Sequence, residues 1–334
     1  MKALTEQWYS DGWWARLLAP LGVVYGTALR LRRWLYRHGW LRPERLPVPV
    51  VVVGNLTVGG TGKTPLVIAV TEWLLAHGRR PAVVSRGYGR RGKAVRVVSD
   101  GSGRRLPVAA SGDEPALLAD RLAVPVVVGA DRGEAVRRAA ALGADCVVAD
   151  DGFQRLSLPR QRAFVVVDGA RGFGNGRCLP AGPLREPLTA LADADALVLH
   201  GEGALRERSA DQRMRLAPQG LRGICSIRQS RELDWLQGRR VHAVAGIGDP
   251  ERFFATLRAL GAEVVPHPFP DHHPYRAADL RFDGRGTLVT TEKDAVKLAE
   301  LGVDGWALSV AAQLDPAPDA WLADLPPAQA GSVS

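Results

Sequence analysis

The chain has 334 residues, 46% of them hydrophobic and 24% charged. Those are ordinary globular proportions at the length of two domains, so wholesale disorder, a collagen repeat and a small disulfide scaffold are excluded. Three scattered cysteines, Cys146, Cys178 and Cys225, make neither a disulfide framework nor a zinc site, and a reducing compartment suits them. Lysine and arginine outnumber the acids 44 to 35, a net charge of +9 that suggests an anionic partner: nucleic acid, anionic lipid or a phosphorylated substrate.

The excess is concentrated at the start, where residues 1–45 hold eight basic and three acidic side chains. The same segment contains the apolar run Trp13–Leu31, with 13 uncharged residues between Arg16 and Arg30. A spanning helix needs ~20 apolar residues, so this run is short for a span and fits a helix lying in the headgroup layer. Trp8, Trp13, Trp14, Trp34 and Trp40 bracket it, and Arg30, Arg32, Arg33 and Arg37 follow, as suits an anionic membrane surface. The basic cluster follows the apolar run instead of preceding it, unlike a signal peptide. The competing reading is a helix packed on the protein's own core.

From Pro47 short apolar runs alternate with helical patterns. Val48–Val53, Ala82–Ser85, Val124–Val128, Cys146–Ala149, Phe164–Val167 and Ala196–Leu199 read as strands apolar on both faces, with helices at Thr64–Ala76, Asp113–Leu122 and Arg132–Leu142. This predicts a doubly wound, mostly parallel α/β sheet. A polar stretch runs from Gly203 to Leu221, after which the alternation resumes on a smaller scale. Strands are expected at Arg240–Ala245 and near Glu263–Pro266 and Thr287–Thr290, with one helix capped by Asp249-Pro250 and another from about Lys293. The expected division is a membrane-associated helix in 1–45, a core domain in 46–220 and a smaller α/β domain in 221–334, ending in a frayed tail PPAQAGSVS.

The first strand runs into GNLTVGGTGKTP, Gly54 to Pro65, and then into a helix. That order is a phosphate-binding loop: glycines admit backbone N–H groups to the phosphate oxygens, the helix start adds partial positive charge, and a lysine reaches the outer phosphates. Thr57, Gly59, Gly60, Thr61, Gly62, Lys63 and Thr64 are therefore the expected nucleotide-binding residues, although the usual pattern has glycine where Thr57 stands. Thr64 would place its hydroxyl on Mg²⁺. Asp150 and Asp151 end a neighbouring buried strand, where an acid can hold that ion. Adjacent side chains on an extended strand point opposite ways, so one serves the metal and the other a neighbouring role, and either assignment is open.

Seven motifs then occur in one order: VGNLTVGGTGKTP, SRGYGR at Ser85–Arg90, SGDEP at Ser111–Pro115, DDGFQ at Asp150–Gln154, PAGPLREP at Pro180–Pro187, FPDHHPY at Phe269–Tyr275 and TTEKDAVK at Thr290–Lys297. Together they closely resemble the tetraacyldisaccharide 4′-kinase family, over nearly the whole chain. The Thr57 departure belongs to this family's loop. The resemblance implies a P-loop NTPase-like fold, ATP and Mg²⁺, and transfer of the γ-phosphoryl group to the 4′-hydroxyl of an acylated glucosamine disaccharide 1-phosphate at the cytoplasmic face of the inner membrane. It implies Asp113 as the base with His272 as its partner, His273 being the lesser candidate, and Lys63 as the third catalytic residue.

Asp113 could equally be only a helix cap. Ser85, Arg86 and Tyr88 follow a strand and are expected to meet substrate, as are Arg185 and Glu186 in their proline-rich loop, where Arg185 could bind a phosphate bidentately. Each also has a plainer reading, as a turn or a surface ion pair. Thr291, Glu292 and Asp294 either frame the nucleotide or cap a helix. The chain is expected to be a monomer with no nucleic-acid partner, since it lacks an aromatic strand platform and zinc-finger spacing. The rivals are a phosphate-loop kinase of a soluble substrate and a nucleotide switch.

Overall fold

The computed structural model describes residues 7–9, 12–226 and 229–328; the last six residues of the expected tail lie outside them. Two helices open the chain, α1 (Trp13–Leu17) and α2 (Ala19–Arg37). An α/β unit follows: β1 (Val50–Gly54), α3 (Lys63–Ala76), β2 (Pro81–Ser85), β3 (Arg96–Asp100), α4 (Val108–Ser111), α5 (Asp113–Arg121), β4 (Pro125–Val128), α6 (Arg132–Ala141), β5 (Cys146–Asp150), β6 (Arg162–Asp168) and β7 (Ala196–His200). Its central strands are rich in valine and buried on both faces. Val50 and Val52 join the core on one side of the sheet with Val147 and Phe153, while Val51 and Val53 join Leu66, Val70 and Leu74 of α3 on the other. Strands buried this way read as continuous apolar runs, which is why the sequence placed them.

The remainder is β8 (Gln212–Gly223), β9 (Ser230–Arg231), β10 (Arg240–Ala245), α7 (Pro250–Ala259), β11 (Glu263–Pro268), β12 (Thr287–Thr291), α8 (Glu292–Glu300), β13 (Trp306–Asp315) and α9 (Asp319–Leu322). The expected caps form: Asp249 accepts from the Arg252 N–H and Thr291 from the Asp294 N–H. The polar stretch after Gly203 departs from expectation, because from Gln212 it is the long strand β8. This strand alternates buried and exposed positions at first, Gln212 and Met214 inward and Arg213 and Arg215 outward, so it carries no continuous apolar run.

One thirteen-stranded sheet contains every strand among the described residues, in the order β11-β10-β12-β13-β8-β7-β6-β1-β5-β2-β4-β3, with β9 on the flank of β8. Strands β1, β2, β4, β5, β6, β7 and β8 run parallel; β8 and β13 are antiparallel, so β10 to β13 run the opposite way. The β13–β8 pairing shifts register between Ser309 and Val310, an irregularity of the kind that bends a ladder. The sheet curls enough that α5 from one end packs on α8 from the other, with Arg121 paired to Glu292 and Arg104 to Glu300.

Helix α2 lies on the loop that follows β6. Gly22 makes the close approach possible: a Cβ there would stand 2.9 Å from both Ala181 Cβ and the Cys178 carbonyl. One turn on, Gly26 faces Cys178 Sγ, and further along Arg33 is buried against Glu186 and Asp193. The other faces are bare. Leu21, Val23, Val24, Leu31 and Trp34 are 47–68% exposed although all are apolar. No described helix is long and apolar enough to cross a membrane.

Candidate active site

The C-terminal ends of β1, β2 and β5 lie side by side, and each delivers a motif to one edge, where open α/β sheets place their ligands. The β1 motif is the phosphate loop. Gly59 and Gly62 take φ of 103° and 90°, the left-handed region that glycine adopts without strain. Gly62 caps α3, so Lys63 and Thr64 begin the helix as expected. Gly59 and Gly60 are exposed, whereas Thr61 is buried with its hydroxyl unpartnered. Thr57 is also buried, and its backbone bridges Leu184 instead of facing the loop's open side.

Beneath the loop sits His200, at the end of β7. Its Nδ1 lies 3.1 Å from the Thr61 carbonyl, and a Cβ on Gly62 would stand 2.5 Å from the same nitrogen. Burial pushes this imidazole below its usual pKa, with Arg252 adding to the effect. Arg171 donates to the Gly60 carbonyl from the other side. Neither residue was visible as a site residue in the sequence, since neither lies in a phosphate-loop pattern.

The two aspartates separate as their positions demand. Asp150 is buried and accepts from the Ser85 hydroxyl at 3.0 Å. Burial, then the neighbouring Asp151 charge, pushes its carboxyl up to about 6, against the pull of Lys63. Asp151 leaves the strand at φ 53° and turns its carboxylate to Arg185, which grips both oxygens at 2.9 and 3.2 Å. Burial alone would raise Asp151, but Lys63, with Nζ 3.8 Å away, and Arg185 hold it below the usual carboxylate range. Two carboxylates crowded at one edge, one of them with its carboxyl raised by burial and by the other's charge, fit a hard divalent cation such as Mg²⁺, which takes one or two carboxylates and completes its shell with phosphate and water. Thr64 is the hydroxyl on that edge that could join them.

Asp113 and His272 meet although 159 residues separate them: His272 Nδ1 lies 3.1 Å from Asp113 Oδ2. Gly112, not Asp113, is the cap of α5, so the Asp113 carboxylate does not cap the helix and faces His272 instead. His272 sits at φ 61°, a conformation costly for a β-substituted residue. Burial would raise the Asp113 carboxyl, but the bond from His272 and the nearby Lys297 ammonium hold it low. His273 is turned away, bonded through Nε2 to Asp279 at 3.2 Å. The Asp113 end of α5 is also the phosphate-loop end, since the next residue, Glu114, bears on Asp150.

The remaining predicted residues divide. Tyr88 is 70% exposed with its ring 5.6 Å from that of His272, and the Gly87–Tyr88 backbone packs on Gly112. Arg86 is exposed beside it. Ser85 serves Asp150, and Arg185 serves Asp151. Glu186 is not brought to the open edge: it is 1% exposed and paired at 3.0 Å with Arg33 of α2. Thr291, Glu292 and Asp294 point inward, Glu292 to Arg121 and Ser309, Asp294 to the Gly246 N–H.

A family model described as Tetraacyldisaccharide-1-P 4′-kinase matches residues 14–326. The chain belongs to this family. A tetraacyldisaccharide 4′-kinase of Alkalilimnicola ehrlichii is 50% identical over 321 residues, covering 91% of this chain and 90% of the relative. One from Xanthomonas euvesicatoria is 49% identical over 308 residues, covering 89% and 86%. Among solved structures, LpxK from Aquifex aeolicus in complex with ATP superposes with a TM-score of 0.75 at 32% identity, covering 90% of this chain and 95% of that one. The family resemblance and the P-loop kinase fold expected from the motifs are thereby established, and the curled mixed sheet is the family's architecture.

Proposed function

We propose that this member of the family transfers the γ-phosphoryl group of ATP to the 4′-hydroxyl of tetraacyldisaccharide 1-phosphate, the lipid kinase step of lipid A biosynthesis, with Asp113 as the base. The observation that carries the residue assignment is the Asp113–His272 contact, made at the same edge as Lys63 and the two aspartates. Phosphoryl transfer asks for positioning, neutralisation of charge and a place for the hydroxyl proton. Lys63 neutralises the transferring group. The loop amides orient it. The Asp113 carboxylate, ionised at neutral pH, takes the proton as the oxygen attacks, and His272 orients that carboxylate. Mg²⁺ held by Thr64, Asp150 and Asp151 would neutralise the phosphates further. Ser85, Arg86, Tyr88 and Arg185 border the edge where the acceptor must enter.

The exposed apolar face of α2 supports docking to a membrane surface; the proposed place of action is the anionic surface at the cytoplasmic face of the inner membrane, with the chain acting as a monomer. Tyr25 of α2 donates to the Arg185 carbonyl and Arg32 to that of Gln154, so the docked helix abuts both the loop bearing the two aspartates and the loop bearing Arg185. A lipid acceptor would then reach the site from the bilayer. Residues 46–220 supply the phosphate loop and the base, and 221–334 supply His272. The test is transfer of labelled γ-phosphate to tetraacyldisaccharide 1-phosphate in detergent micelles. Transfer by the wild type and a loss of about a hundredfold in Asp113→Ala are expected, the scale of general-base removal. No transfer by an ATP-binding wild type would exclude the lipid acceptor.

A further inference from the structure

Helix α8 inserts two lysines, one turn apart, against the Asp113–His272 pair. Lys293 Nζ has three acceptors in reach: Glu114 Oε1 at 3.1 Å, Asp271 Oδ1 at 3.1 Å and His272 Nε2 at 3.2 Å. An ammonium has three N–H donors and no lone pair, so these partners occupy all of them. Lys297 is placed alike, 3.2 Å from the His273 carbonyl, 3.1 Å from Asp294 and 3.4 Å from Asp113 Oδ2. Burial acts to weaken the Lys293 ammonium, but Glu114 and Asp271 more than offset this and hold its pKa above the usual lysine value. It stays charged.

The two nitrogens of His272 therefore face opposite kinds of group. Nδ1 looks at a carboxylate oxygen, which only accepts, while the nearest partner of Nε2 is an ammonium, which only donates, with Glu114 Oε1 and Asp271 Oδ1 farther off at 3.6 and 3.8 Å. An imidazolium would set an N–H against an N–H at 3.2 Å. We propose that Lys293 is a positioning residue that holds His272 neutral, with its proton on Nδ1, and so keeps the Asp113 carboxylate basic enough to accept a proton. This rests on Asp113 and His272 being the proton-handling pair of the kinase. The functional gain follows from simple electrostatics. A charged imidazolium beside Asp113 would lower the basicity of the carboxylate, whereas a neutral N–H orients it with less cost.

The groups facing His272 are Asp113 and Glu114 from α5, Asp271 from its own loop, Lys293 and Lys297 from α8, and the Tyr88 ring. The Asp113 bond first, and Glu114 and Asp271 with it, draw the imidazole toward protonation and set it above its usual pKa, while burial and Lys293 oppose them; the 3.2 Å Lys293 Nζ–Nε2 contact is one that only the neutral ring can accept. Removing Lys293 deletes an opposing charge and leaves Glu114 and Asp271 without their shared cation. The imidazolium then gains, and activity is lost at a higher pH as pH falls.

The experiment is ¹⁵N NMR of the full-length chain labelled at histidine, in micelles, with His272 assigned through His272→Gln. At neutral pH the wild type should show one protonated and one unprotonated nitrogen, the proton on Nδ1. Lys293→Met should show both nitrogens protonated, a kcat reduced about tenfold or more, an acid limb of the kcat profile moved to higher pH, and an unchanged KM for ATP. Lys293→Arg should restore the single-proton pattern and most of kcat. A wild-type ring that is doubly protonated, or protonated only on Nε2, overturns the proposal, as does an unchanged ring in Lys293→Met. If Lys293→Met fails to fold, the wild-type spectrum still decides the tautomer. If the spectra are as expected but Asp113→Ala retains full transfer, the assignment of the base is what fails.

Discussion

Glu186→Gln separates a substrate contact from a structural anchor. The substitution keeps the side chain's volume and one acceptor oxygen and deletes only the charge. Glu186 and Arg33 are 1% and 4% exposed, so their contact at 3.0 Å is shielded from solvent and salt. A hydrogen bond between ionised groups contributes about 1.5–3 kcal/mol. Arg33 keeps Asp193 as a partner, and the glutamine oxygen still accepts, which places the expected loss near the lower end, about 2 kcal/mol. That corresponds to about thirtyfold in the ratio of docked to undocked α2. An undocked helix of this length is marginal in water, so undocking exposes its amides. Hydrogen exchange measured without lipid should accelerate about thirtyfold across the amides of α2 while β1 and β5 exchange as before. A raised KM for the acceptor with exchange in α2 unchanged would return Glu186 to the substrate site and refute the anchoring role.

Gly62→Ala should abolish ATP binding in calorimetry while the sheet stays folded, because the new Cβ would stand 2.5 Å from His200 at a φ of 90°. Adding His200→Ala relieves the clash but not the backbone conformation, which costs about 1–2 kcal/mol, so binding should recover to about tenfold below wild type; full recovery would contradict the strained-loop geometry. Val23→Glu with Val24→Glu removes two apolar residues that are 64% and 68% exposed. At about 1.5 kcal/mol of burial each, sedimentation with anionic vesicles should weaken about a hundredfold with ATP binding intact. Unchanged sedimentation would remove α2 from the membrane contact.

Much of this was legible because two signals are local. Valine runs buried on both faces mark the central strands whatever surrounds them, and a glycine-rich turn before Lys63-Thr64 declares its own conformation. Pairing was less legible. Asp150 and Asp151 could be given two roles from strand geometry, but which faced Ser85 and which faced Arg185 depended on Asp151 adopting φ 53°. Glu186 was expected at the site because it lies with Arg185 in a proline-rich loop; successive residues in an extended loop face opposite sides, and Glu186 faces α2. Lys293 and Lys297 stood in the TTEKDAVK motif with the i,i+4 spacing of one helix face. That spacing was the available signal for their shared role.

The meeting of Asp113 with His272 had no local signal at all. In a flat sheet with this strand order, β11 and β4 would lie near opposite ends, and the antiparallel β8–β13 pair would send the C-terminal edges of the two halves in opposite directions. What brings the edges together is accumulated twist over many strands, helped by the register shift at Ser309/Val310, and it is fixed by α5 docking on α8. The same ion pairs that lock this docking, Arg121 with Glu292 and Arg104 with Glu300, come from residues whose sequence neighbourhoods look like ordinary solvated helix faces or, for Arg104, a polar loop. Hence the long polar strand β8, which the sequence presents as a boundary, is the element on which the Asp113–His272 contact depends. Loosening its pairing with β13 should separate His272 from Asp113 while leaving the phosphate loop, set between β1 and α3 and backed by His200 of β7, able to bind nucleotide.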